Sequence, residues 1–270
     1  MKIVVFGNSI LTIPAFQALA QNNMVAGLCT SDSSSEETQR IQWIARQVNV
    51  PLLSVSKSDI EQKLEKWLRS LRPDVVLVLT FSFKIPSSIL NIPPLGVYNF
   101  HFARLPEYRG PQPIFWELVK READGAITGH KMDVQMDHGP IAIVDKIPIL
   151  PTDTHGMHMV KLSFQTLGVV QKLLVQLQNN PSAMILIDQD HTKAKYYHRP
   201  ELEDVTINWE KQESHQIYAL VKACNPWNNG AYTSVRGIML RLVEVTLPDE
   251  GIEEGKTPGT IIKADQMEGI

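Results

Sequence analysis

Apolar positions along this chain fall into two rhythms: unbroken runs in short stretches and a three-to-four spacing in longer ones. Residues 2–7, Lys-Ile-Val-Val-Phe-Gly, form a continuous apolar run that stops at Gly7, and residues 13–20 follow with helical spacing. The chain therefore opens as a strand and a helix. The alternation recurs as a strand over 24–30, a helix over 36–48, a short strand over 51–55 and a helix over 59–70. In that last helix Ile60, Leu64, Trp67, Leu68 and Leu71 share one side. Residues 74–79, Asp-Val-Val-Leu-Val-Leu, are apolar after the first position, the mark of a strand covered on both faces. A strand over 96–100, a helix over 114–119 entered through Pro113, strands over 126–133 and 141–149, and a long amphipathic helix over 154–178 complete the series. The predicted class is α/β, a doubly wound, mostly parallel sheet of Rossmann-like design.

Beyond residue 190 the pattern changes. Residues 191–199, His-Thr-Lys-Ala-Lys-Tyr-Tyr-His-Arg, are basic with interleaved tyrosines, and an acidic connector follows over 200–204. A run this short reads as a solvated linker, with a grip on an RNA backbone as the alternative. A helix over 214–222 and strands over 239–245 and 260–263 predict a small β-barrel-like C-terminal module. The expected organisation is a catalytic domain over 1–190, a linker over 191–206 and the module over 207–270. Gly269-Ile270 ends where another strand would come, so the module reads as incomplete.

Composition narrows the class. The 270 residues are 43% hydrophobic and 20% charged, which supports a packed core and argues against disorder. A net charge of −3 gives no bulk attraction to nucleic acid. Two distant cysteines, Cys29 and Cys224, make no metal or redox motif and suit a reducing compartment. No apolar run is long enough to span a bilayer, so a cytoplasmic protein without a membrane partner is expected. Gly7-Asn8-Ser9 lacks the later glycines of the dinucleotide fingerprint, which argues against a nicotinamide or flavin cofactor.

The chemistry gathers where the strand over 96–100 stops. Asn99 and His101 are two residues apart and therefore point to one side of it. Pro106, Gly110, Pro111 and Pro113 then force a loop that holds Arg109. An amide, an imidazole and a guanidinium at a strand end and a helix start suit acyl-group chemistry. A second stretch places Asp137 ahead of His138-Gly139-Pro140, a turn in which a carboxylate satisfies backbone amides or reaches a neighbouring strand end. His130, Asp133, Asp137 and His138 also fit a metal cluster, and a metal-dependent hydrolase is the rival they predict. His155 and His158 have metal-like spacing at a helix start, but with no cysteine or carboxylate partner nearby they read as surface or capping residues.

These motifs resemble the folate-dependent N-formyltransferases, and over the full length the methionyl-tRNA formyltransferase branch. The resemblance rests on Asn99-Phe-His101, on Leu105-Pro-Glu-Tyr108-Arg109-Gly110-Pro-Gln-Pro113-Ile114, on Thr128, and on Met132-Asp133 through Asp137-His-Gly139. It implies 10-formyltetrahydrofolate as formyl donor, no metal, and a primary amine as acceptor, with initiator methionyl-tRNA among the candidates. It implies Asn99, His101 and Asp137 as catalytic residues, with Asn99 donating to an oxyanion and Asp137 orienting the imidazole. Folate contacts would come from Phe81, Ser82, Phe83, Ile85, Pro86, Asp133, His138 and Gly139, with the backbone of the 81–86 loop holding the pteridine. Substrate contacts would come from Tyr108, Arg109, Gly110 and Pro111, Arg109 bracing its loop or meeting an anionic group. Two departures bear on the acceptor: the loop over 30–39 is short and rich in serine and acid where the tRNA enzymes are long and basic, and Phe102-Ala103-Arg104 changes the pocket wall. The resemblance thus leaves N-formylation of a nucleotide-linked amino sugar, formyltetrahydrofolate hydrolysis, or folate binding without turnover as alternatives.

Overall fold

The computed structural model describes residues 1–179, 181, 184–247, 256–262 and 264. Its strands are β1 (Ile3–Phe6), β2 (Val25–Ser31), β3 (Leu52–Val55), β4 (Val75–Val78), β5 (Val97–His101), β6 (Asp124–Lys131) and β7 (Ile141–Pro148). They form one sheet in the order β3-β2-β1-β4-β5-β6-β7. Pairing is parallel from β3 through β5 and antiparallel at β5–β6 and β6–β7. The helices between them are α1 (Ile13–Gln21), α2 (Glu36–Gln47), α3 (Ile60–Leu71), α4 (Ser87–Leu90), α5 (Pro113–Val119) and α6 (His155–Asn179). The α/β expectation holds, and each catalytic-domain strand and helix read from the pattern is present within a few residues of its expected bounds.

Local chemistry explains several boundaries. Ser35 caps α2, its hydroxyl accepting from the Thr38 amide, with Glu36 and Glu37 in the first turn where the helix dipole favours negative charge. Pro113 opens α5, where its missing N–H costs no helical bond. Strand alternation sorts β1 into two layers: Ile3 and Val5 join one core with α1 and α6, while Val4 and Phe6 join the other with Leu64 and Leu68 of α3. Tyr98 and Phe100 of β5 face the first layer and Val97 the second. Asn99 and His101 consequently share the face of Val97.

The C-terminal unit consists of α7 (Ser214–Ala223) and a two-stranded antiparallel sheet of β8 (Ala231–Val235) and β9 (Ile238–Leu242). β9 ends at Leu242, before the expected residue 245. Residues 260–262 carry no strand, and Lys263 and Gly269-Ile270 lie outside the described residues. Among the described residues no helix is long and apolar enough to cross a membrane.

One expectation is overturned by packing. His155 and His158 are 3% and 0% exposed, not surface residues. The C-terminal unit covers the start of α6: Gly156 donates its amide to the Asn225 carbonyl at 3.0 Å, and the Trp227 ring lies 6.0 Å from that of His155. Burial, aided for His155 by its neighbour His158, lowers both imidazoles to about 4. A folded-state value below the unfolded 6.5 means that the unfolded chain binds more protons between those limits, so their contribution is full above pH 6.5 and falls as pH drops towards 4. Buried Glu117 works in the opposite direction, its carboxyl held well above the usual range. The histidines are therefore isolated by comparison: replacing both by Leu is expected to remove part of the loss in urea midpoint between pH 7 and pH 5. An unchanged pH dependence would contradict the assignment.

The basic run keeps His191, Thr192, Lys193, Lys195, Tyr196, His198 and Arg199 exposed, as a solvated linker would, and is also tied to the loop that holds Arg109. The Arg109 amide donates to the Lys195 carbonyl at 3.0 Å and the Arg109 carbonyl accepts from the Tyr197 amide at 2.8 Å, while the Tyr197 ring stacks on both Tyr108 and Trp116 at 5.2 Å from each.

Candidate active site

Asn99 and His101 stand on the β5 face that the loop after β6 covers. Antiparallel register sets His130 opposite Asn99 and Thr128 opposite His101, bringing a second imidazole to the same face. Asn99 Nδ2 lies 3.1 Å from His130 Nε2, with the amide as donor. His130 is 1% exposed, and burial outweighs the attraction of Asp137 to lower its pKa to about 4. It is thus a neutral ring able to accept at neutral pH. With one amide hydrogen held by His130, the other is left for a ligand.

His101 Nε2 donates to the Tyr108 carbonyl at 2.6 Å, which leaves Nδ1 as the basic atom. Asp137 Oδ1 lies 3.7 Å from that Nδ1 and 3.9 Å from His130 Nε2. Orientation of the imidazole therefore comes from the Tyr108 carbonyl, while Asp137 supplies a nearby negative charge. Asp137 adopts φ of +53°, a left-handed conformation that Asp tolerates better than most residues, and its Oδ2 accepts from the Gly110 amide at 3.1 Å. Two glycines make this closeness possible. A Cβ on Gly139 would lie 1.9 Å from the Lys131 carbonyl oxygen, and one on Gly110, at φ +117°, would lie 2.0 Å from that of Tyr197.

The remaining expected residues are distributed around this centre. Phe81 packs its ring on Phe6 at 5.1 Å and edge-on to Phe83 at 5.9 Å, both within the second core layer. Ser82 accepts from Asn8 Nδ2 at 2.7 Å, Ile85 is buried, and Pro86 caps α4. Asp133 and His138 pair with one another at 2.9 Å, and the His138 ring stacks on His191 at 4.1 Å. Tyr108 has a buried side chain whose hydroxyl donates to Glu122, so its carbonyl rather than its ring faces the site. Pro111 is exposed. Arg109 donates to Gln189 Oε1 at 2.6 Å and approaches His191 Nδ1 at 2.9 Å, which suits a bracing role. Among the described residues no three His, Cys, Asp or Glu side chains form a metal-ligating group, so the four residues of the rival metal cluster do not converge.

Sequence reasoning saw His130 only as a potential ligand and did not single out Gln189. The first needs the β5–β6 register to be noticed, and the second has no local signal at all.

The arrangement can polarise a carbonyl through an amide hydrogen and move a proton at His101 Nδ1 beside a fixed carboxylate. Comparison with known proteins agrees with this frame. The formyl transferase family matches residues 1–173, and the formyl transferase C-terminal domain matches residues 201–270. Methionyl-tRNA formyltransferase of Dictyoglomus thermophilum is 34% identical over 203 residues, covering 75% of this chain and 64% of that protein. The corresponding protein of Sorangium cellulosum is 28% identical over 270 residues, covering 98% and 85%. Among solved structures, the Helicobacter canadensis N-formyltransferase in complex with folinic acid and dTDP-3-aminofucose superposes with a TM-score of 0.72 at 17% identity, covering 93% of this chain and 90% of its own. Aquifex aeolicus HypX in complex with tetrahydrofolic acid superposes at 0.65 and 14%, covering 90% and 37%. With both of its regions matched, the chain belongs to the formyl transferase family.

Proposed function

We propose that the protein transfers a formyl group from 10-formyltetrahydrofolate, as co-substrate, to a primary amine, with methionyl-tRNA as the first acceptor to test. The observation that carries this reading is that Asn99 and His101 share one face of β5, with the Asp137 carboxylate 3.7 Å from His101 Nδ1. The amine nitrogen attacks the formyl carbon, forming a C–N bond and placing negative charge on the formyl oxygen. The free Asn99 Nδ2 hydrogen donates to that oxygen. His101 Nδ1 takes the proton released by the amine, and Asp137 balances the imidazolium charge. Collapse breaks the bond to N10 of the folate, which receives a proton and leaves as tetrahydrofolate.

The names of the full-length relatives support methionyl-tRNA as acceptor. A specific observation supports the alternative of a nucleotide-linked amino sugar: the connection between β2 and α2 is only residues 32–35, Asp-Ser-Ser-Ser, with Glu36 and Glu37 next. Acidic groups there repel a phosphate backbone. Tetrahydrofolate release is therefore followed with methionyl-tRNA, with a panel of nucleotide-linked amino sugars, and with no amine. Turnover with the charged tRNA is the expected result; turnover only with a sugar selects the alternative, and equal release without amine would replace transfer by hydrolysis.

A further inference from the structure

We propose that residues 187–198, which lie between the two family-matched regions, are a strap that completes the catalytic site, with Gln189 as the positioning residue for Asp137. The inference rests on the role given to Asp137 above.

The strap enters beside the start of β7, where Ile187 and Ile141 exchange two backbone hydrogen bonds of 2.8 Å. Gln189 follows, 5% exposed. Its Nε2 donates to the Asp137 carbonyl at 3.0 Å and the Gly139 carbonyl at 2.8 Å, while Oε1 accepts from Arg109. It thus clamps both ends of the turn in which Asp137 holds its left-handed conformation. A primary amide suits this place because one nitrogen supplies two donors and the oxygen meets a cation; a carboxylate would lack the donors and an ammonium the acceptor.

Further along, the strap holds the other catalytic loop. Lys195 donates its amide to the Pro106 carbonyl at 3.2 Å and its carbonyl accepts from Arg109 at 3.0 Å, while Tyr197 donates to the Arg109 carbonyl at 2.8 Å. Trp116 Nε1 donates to the His198 carbonyl at 3.0 Å. That loop supplies the Tyr108 carbonyl to His101 and the Gly110 amide to Asp137. Two loops of distant sequence are thereby held in register by one segment, and their relative placement sets the His101–Asp137 separation. A misplacement of about 1 Å in such a pair costs on the order of a hundredfold in rate.

The test uses the full chain with Gln189→Met, which keeps volume without hydrogen bonds, and Gln189→Glu, which keeps the acceptor and loses the donors, beside Asn99→Ala as reference. With 10-formyltetrahydrofolate and methionyl-tRNA, kcat is expected to fall about ten- to a hundredfold. The KM for the folate should stay within about twofold of wild type, and amide exchange across residues 137–141 should accelerate without a matching change in thermal midpoint. A purely structural role would lower the midpoint and leave kcat of the folded fraction unchanged. Wild-type kcat and wild-type exchange in the folded variants, with Asn99→Ala inactive, would overturn the strap. If Asn99→Ala retains the wild-type rate, or no acceptor is turned over, the formyl-transfer reading fails instead, and the exchange arm still decides whether Gln189 holds the turn.

Discussion

Asn99→Ala is expected to lower kcat by about two to three orders of magnitude, roughly 3–4 kcal/mol of transition-state stabilisation, while the protein remains folded. The magnitude follows from the position of the amide. It stands on β5, a strand buried within the sheet, and His130 already occupies one of its two hydrogens, so the second is pre-oriented and no reorganisation is needed as charge develops. Loss of the side chain also leaves His130 Nε2 without its partner, a buried acceptor worth about 1–3 kcal/mol when unsatisfied. Some fall in thermal midpoint should therefore accompany the loss of rate. The measurement is steady-state kinetics with circular dichroism on the same preparation, and a wild-type kcat in folded Asn99→Ala would remove the oxyanion role.

Asp137→Asn separates charge from shape. Asn also tolerates the left-handed φ of this position, and its carbonyl oxygen can still accept from the Gly110 amide. The turn should survive and the thermal midpoint should move little. What disappears is the negative charge 3.7 Å from His101 Nδ1. Since positioned acid–base groups contribute about 10²- to 10⁴-fold, a loss of at least a hundredfold in kcat is expected, close to that of Asp137→Ala. If Asn restores most of the rate lost in Ala, the carboxylate acts through its hydrogen bond to Gly110 and the charge-balancing role is wrong.

The parts of the structure legible in the sequence are those set by local periodicity. The run over 74–79 announced β4 because both faces of that strand are covered. Asn99 and His101 were readable as neighbours because side chains two apart on a strand share a face. Contacts made across large sequence separations were not legible. His130 meets Asn99 through the antiparallel register of two strands, and Gln189 reaches Asp137 across 52 residues. His155 and His158 were misplaced for a related reason: His155 is covered by a unit some seventy residues further on, and the His158 ring lies against Gly125 of β6. The stacking of Tyr197 and the backbone pairing of the linker were likewise beyond reach of composition, since their partners lie some eighty to ninety residues earlier.

The pairing of Asn99 with His130 also bears on how mutations of this chain could mislead. A strand shifted by one residue keeps its backbone ladder but turns every side chain to the opposite face. In β6 such a shift would bring Gly129 or Lys131 opposite Asn99 and drive an imidazole into the apolar layer that Ile127 now shares. A single-residue insertion or deletion between Asp124 and Thr128 would thus leave secondary-structure content nearly unchanged while emptying the place beside the amide. For this strand, length is as much a part of the chemistry as any side chain it carries.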